Sequence, residues 1–73
     1  MTPNEKPLQP HQQRVVDERH ELMFKVDKLA AFLKGDIFKT LPADEQERLT
    51  RQHRIMLEYD AVLKERIEHF PKA

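Results

Sequence analysis

Apolar residues recur along this chain with the period of a helix, in two long blocks separated by a short break. In the first block Val15, Leu22, Val26, Leu29 and Leu33 fall on one face, at the spacing of about 3.6 residues that a helix requires. Val16, Met23 and Ala30 form a second row beside them, one heptad apart. The block runs from about His11 to Lys34 without Gly or Pro and is rich in good helix formers, which predicts the first long helix. Phe24 and Phe32 point away from both rows. In the second block, from about Ala43 to His69, Leu49, Met56, Leu63 and Phe70 share one heptad row, and Ile55, Val62 and Ile67 widen it. The resulting apolar surface is broader than one partner helix can cover, which is the breadth that a subunit interface needs.

The break carries helix-ending and helix-starting chemistry. Gly35 follows Lys34 and reads as a C-terminal glycine in the left-handed conformation after a basic last turn. Asp36 to Leu41 is expected to be the connection, with Ile37 and Phe38 tucked back to close the hairpin. Pro42 suits the first turn of the next helix, and Asp44 and Glu45 suit its positive end. So short a connection makes the two helices antiparallel. The expected fold is an all-α antiparallel helical hairpin over residues 11–70. It is preceded by an extended or mobile arm, residues 1–10, that holds three of the five prolines, and followed by a tail, residues 71–73.

Composition sharpens this picture. A chain of 73 residues makes a small core, and without cysteine neither a disulfide nor a thiolate metal site can staple it. Self-association is left as the source of extra stability, so the hairpin is expected to assemble into a homo-oligomeric bundle. Charged residues make up 36% of the chain, but acids and bases balance at 13 each, which disfavours gripping a DNA or RNA polymer. A small anion in a local basic pocket remains compatible with that balance. No apolar run spans a bilayer, and the N-terminus lacks the apolar run of a signal peptide, so a cytoplasmic setting is expected.

The candidate chemistry is that of binding. There is no serine or cysteine nucleophile, Thr40 and Thr50 have no evident base, and no glycine-rich phosphate loop is present, so no enzyme is expected. The histidines form neither HxxxH nor HExxH. Asp17 and His20 give a single acid-x-x-His spacing, without the matching glutamates of a di-iron bundle, and no metal or cofactor is expected. Gln52, Tyr59 and Arg66 lie one heptad apart inside the apolar stripe of the second helix. A guanidinium there either pairs with a carboxylate across an interface, or snorkels to water, or forms an anion site that opens in the oligomer. On the first helix, Gln13, Asp17, Phe24, Lys28 and Ala31 share a sector away from the main stripe, with Phe32 one turn beyond Lys28. An ammonium beside aromatic rings suits a phosphate joined to a base; a solvated charged face with an incidental aromatic is the alternative.

A family resemblance runs through both helices. The run His11-Gln12-Gln13-Arg14-Val15-Val16-Asp17-Glu18, then Leu22, then Lys25-Val26-Asp27-Lys28-Leu29-Ala30-Ala31-Phe32-Leu33, resembles the phage hairpin domain shared by anti-CBASS and anti-Thoeris sponge proteins. The likeness continues through Ile37-Phe38-Lys39-Thr40-Leu41-Pro42, then Arg51-Gln52, Met56, Tyr59, Leu63 and Arg66-Ile67, so it covers roughly residues 11–70. It implies a phage-encoded sponge that sequesters a cyclic nucleotide signal of bacterial defence in the cytoplasm of the infected host. The anti-CBASS type assembles as a hexamer and takes cyclic dinucleotides between protomers and cyclic trinucleotides at separate sites. The anti-Thoeris type takes a cyclised ADP-ribose and is generally longer, so the short chain favours the anti-CBASS type. Carried over by position, Lys28 meets ligand phosphate and Arg66 reaches the same ligand from a neighbouring chain, with Phe32 and Tyr59 also in the ligand-binding set. Gln13 or Gln12 stands where relatives place a stacking aromatic, and Ala30 where a hydroxyl is expected. A helical module that binds a partner protein, or a nucleic-acid accessory factor, are the competing functions.

Overall fold

The computed structural model describes residues 8–71, and helix is its only regular structure. α1 spans Pro10–Leu33, α2 spans Asp36–Thr40 and α3 spans Ala43–Glu68. The two long helices lie where the apolar period predicts them and pack against each other as a hairpin. Most of the expected N-terminal arm lies outside the described residues.

Local chemistry sets each boundary. Pro10 opens α1, where its missing N–H costs nothing. The backbone N–H of Gln9 just before it donates to Gln12 Oε1 at 2.9 Å, which satisfies a donor and holds Gln12 in a buried position. At the other end the last turn tightens: Lys34 N–H donates to Ala31 O at 3.2 Å and Gly35 N–H to Phe32 O at 3.0 Å.

Gly35 departs from the expectation of a left-handed cap. Its φ of −86° and ψ of 169° are extended, and it serves as the N-cap of α2. The chain leaves α1 by straightening directly into a new helical turn, so no positive φ is needed. A Cβ built on Gly35 meets its nearest atom, Phe32 O, at 3.4 Å, an ordinary contact. Gly35→Ala is therefore expected to change stability by no more than about 0.5 kcal/mol, because the smaller unfolded-state entropy offsets the weaker N-cap. A glycine held at positive φ would lose about 1 kcal/mol or more. Chemical denaturation of the variant distinguishes the two.

The connection is itself helical, and only one of its two large apolar residues turns inward. Phe38 is half-buried and sets its ring edge against Phe32, with centroids 6.4 Å apart and planes at 83°. Ile37 stays 66% exposed, contrary to the expected tuck. Neighbouring residues on one helical turn point about 100° apart, so α2 can aim only one of them at α1. Thr40 Oγ1 donates to Ile37 O at 2.6 Å, and Gln46 Nε2 reaches back to Leu41 O at 2.8 Å, closing the turn. Pro42 sits one residue ahead of its expected place, as the N-cap of α3.

Val15, Leu22 and Val26 from α1 and Leu63 from α3 form the buried core, with Met56, Ile67 and Phe70 packed on it. One polar contact crosses the seam: Arg19 Nε donates to Asp60 Oδ1 at 2.9 Å in a partly buried ion pair. The described molecule is a rod of 54 × 20 × 15 Å with a radius of gyration of 16.8 Å. A compact chain of similar length would measure about 11 Å, so most side chains have a neighbour on one side only.

Candidate ligand-binding site

The Arg19–Asp60 pair marks the register that the core contacts between α1 and α3 set, and hence the level of every candidate residue. Because α1 and α3 run antiparallel, each step up one helix is a step down the other. Arg66 follows Asp60 by six residues, which places it level with Gln13 of α1. Lys28 stands level with Arg51, near the connected end. At 1.5 Å per residue, Lys28 and Arg66 of one protomer are therefore about 22 Å apart along the rod.

Both cations are available. Lys28 and Arg66 are exposed, and neither joins an ion pair among the described residues. Lys28 stands one turn from Phe24, which is 71% exposed on the side of α1 turned away from α3. Gln13, also exposed, donates from Nε2 to Asp17 Oδ1 at 2.9 Å. Gln12 is engaged in the α1 cap, Ala30 is half-buried, and Phe32 is held by Phe38 at the hairpin tip. Tyr59 is exposed on α3. Within one chain these residues do not come together; Lys28, Ala30 and Phe32 share the connected half, while Gln12, Gln13 and Arg66 share the other.

On α3, Gln52, Ile55, Tyr59, Val62 and Arg66 follow one another at alternating spacings of three and four, the pattern of a helix–helix seam. All are exposed, and their stripe is turned about 90° from the row that packs on α1. A separate open groove of about 420 Å³ lies at the connected end, lined by Phe38, Glu47, Thr50, Arg51 and Arg54 among others. Sequence reading singled out neither Arg51 nor Arg54 as site residues, because the groove exists only once α2 folds Phe38 beside the first turns of α3. Among the described residues no group of His, Asp and Glu is arranged to hold a metal, and no helix is long and apolar enough to cross a membrane.

The Sequestin family model matches residues 9–69, which takes in both long helices and the connection. The chain belongs to the Sequestin family. The hairpin resemblance to phage sponge proteins agrees with that membership. An uncharacterized 7.5 kDa protein from the denB–rIIB intergenic region of Enterobacteria phage T4 is 40% identical over 60 residues, covering 82% of this chain and 94% of that protein. No solved structure matches. Sequestin membership implies a phage protein that works by sequestration, and Lys28, Tyr59 and Arg66 all lie within the matched region.

Proposed function

We propose that this Sequestin captures cyclic oligonucleotide signals, cyclic dinucleotides above all, and so withholds them from the effectors of CBASS defence in the cytoplasm of an infected bacterium. Family membership carries the reading; the two unpaired cations supply its chemistry. A cyclic dinucleotide presents two phosphates on a rigid ring, and charge-assisted hydrogen bonds from Lys28 and Arg66 suit it. Since the two lie about 22 Å apart within a protomer, one compact ring meets both only where two protomers join. The working unit is thus a homo-oligomer, for which the sponge resemblance favours a hexamer. Cyclic trinucleotides occupy further sites in that assembly. The action is stoichiometric and non-catalytic: affinity and copy number, with no turnover, set how much signal is removed. Preformed protomer contacts keep the ordering cost of binding small.

Calorimetric titration of the purified protein against a panel of cyclic di- and trinucleotides and cyclised ADP-ribose tests this. A cyclic dinucleotide should release heat and raise the melting temperature. At a free ligand concentration 100 times Kd the added stability is about 2.7 kcal/mol. A response to cyclised ADP-ribose alone moves the protein to the Thoeris class of signal. Silence with every ligand leaves a partner-binding hairpin.

A further inference from the structure

The groove at the connected end is built by α2 and one face of α3 alone, so it is complete within a single protomer. Its α3 residues Ala43, Glu47, Thr50 and Arg54 fall within an arc of about 60° around the helix axis. That arc is turned by more than about 100° from the row that packs on α1, and by as much from the stripe through Ile55, Tyr59 and Val62. Its charges are uncommitted. Arg48, on a neighbouring face, is held by Glu45 at 2.9 Å and by Asp44 at 3.3 Å. Arg51, Arg54 and Glu47 join no ion pair among the described residues.

The order of groups along the groove is that of a polar molecule with two different ends. Arg51 and Arg54 stand three residues apart, the spacing at which two helix side chains converge on one group. Glu47 precedes Arg54 by seven residues, so it lies about 10 Å away along the same side of α3. Thr50 stands between them. Its hydroxyl donates to Gln46 O at 2.8 Å, which leaves oxygen lone pairs to accept from a ligand. Beside Glu47, Phe38 and Ala43 supply an apolar wall, and Gln46 is tied to it by donating from Nε2 to Leu41 O at 2.8 Å.

We propose that this groove binds a nucleoside 5′-monophosphate, guanosine monophosphate above all, with the phosphate on Arg51 and Arg54 and the base between Phe38 and Glu47. Two guanidiniums match a phosphate monoester, which carries about −1.5 to −2 charges at neutral pH. A cyclic signal offers only diesters, with one charge on each phosphate. A bare inorganic anion uses the arginines but gains nothing from Phe38, and Glu47 repels it. Guanine presents two N–H donors side by side on its Watson–Crick edge, and one carboxylate accepts both. Adenine presents an acceptor beside its amine, which faces the carboxylate unfavourably. The ribose hydroxyls fall level with Thr50. A groove of about 420 Å³ lies in the range of small-molecule sites and suits one nucleotide better than a ring of two. The site goes beyond the capture of cyclic signals and does not depend on it.

Titration of the purified full-length protein with guanosine monophosphate, adenosine monophosphate, guanosine and inorganic phosphate, read by calorimetry and by amide NMR shifts, tests the assignment. Guanosine monophosphate should bind at least about 10-fold more tightly than each of the others. Its affinity should fall as the pH drops through about 6, where the monoester regains its second proton. Arg51→Gln and Arg54→Gln should each weaken it about 10-fold or more, as the loss of a hydrogen bond to a charged group does. Glu47→Gln should remove the preference for guanine over adenine while phosphate recognition persists. All three side chains are exposed, and circular dichroism checks that the variants keep their helices. No binding of guanosine monophosphate at millimolar concentration overturns the proposal. So does inorganic phosphate that binds equally well, or binding that both arginine variants retain in full. Titration of the same preparations with a cyclic dinucleotide reads the sequestration sites separately, and Arg54→Gln should leave that affinity unchanged.

Discussion

Replacing Leu63 with alanine is expected to destabilise the hairpin by about 3 kcal/mol, most of the stability that an unassembled chain of this size has. Leu63 is 1% exposed, and among the described residues it is the one buried apolar side chain that α3 contributes, the others, Val15, Leu22 and Val26, all coming from α1. Truncation removes the centre of the α3 side of that contact, leaving the partly buried Met56 and Ile67, and a rod of two helices has no third layer to collapse into the space. Large-to-small changes of this kind cost about 2–5 kcal/mol in buried sites, against a total of about 3–5 kcal/mol for an unstapled chain of this size. Thermal unfolding followed by circular dichroism at several protein concentrations checks the prediction. If Leu63→Ala melts within a few degrees of the parent, the hairpin core is not what holds the molecule together. Val62→Ala, one position away but half exposed, should instead leave the helices intact in concentrated solution and weaken association.

Lys28→Ala and Arg66→Ala are each expected to weaken cyclic dinucleotide binding about 10- to 100-fold without unfolding the chain. A hydrogen bond to a charged group contributes about 1.5–3 kcal/mol, and each 1.4 kcal/mol is a factor of ten. Both side chains are exposed, so truncation leaves no hole and no stranded partner. The stronger outcome comes from mixing. If every site takes Lys28 from one protomer and Arg66 from another, an exchanged equal mixture of the two variants regains full-affinity sites. A site then draws an intact lysine from an Arg66→Ala chain and an intact arginine from a Lys28→Ala chain, which random assembly gives in about a quarter of cases. Calorimetric stoichiometry reads that fraction. A mixture as inactive as its components would mean that the two side chains do not act on one ligand.

Much of the fold was legible in the sequence because it depends on short-range physics. The helical period of Val15, Leu22 and Val26 and of Leu49, Met56 and Leu63 reflects one backbone geometry, and Pro42 with Asp44 and Glu45 marks a helix start whatever lies around it. Gly35 misled for a reason of the same kind. A lone glycine after a basic turn fits two roles locally, a left-handed cap of the preceding helix or an extended cap of the following one, and the choice depends on where the next helix begins. Ile37 and Phe38 were indistinguishable as adjacent apolar residues until α2 formed and aimed one of them at Phe32.

The candidate site divides the same way. Sequence by itself determined that Lys28 and Arg66 are cations on the two long helices, that the helices are amphipathic with more apolar surface than one hairpin buries, and that no cysteine can staple them. Only the tertiary structure decided the register, set by the packing of Leu63 among Val15, Leu22 and Val26 and marked by the contact of Arg19 with Asp60, and with it the long axial gap between Lys28 and Arg66 in one protomer. It also decided which apolar residues are spent inside the hairpin and which, such as Ile55, Tyr59 and Val62, remain outside it. Periodicity along a chain fixes angles around one helix axis, whereas the sliding of one helix against another is set by contacts between residues far apart in sequence, which no local pattern encodes.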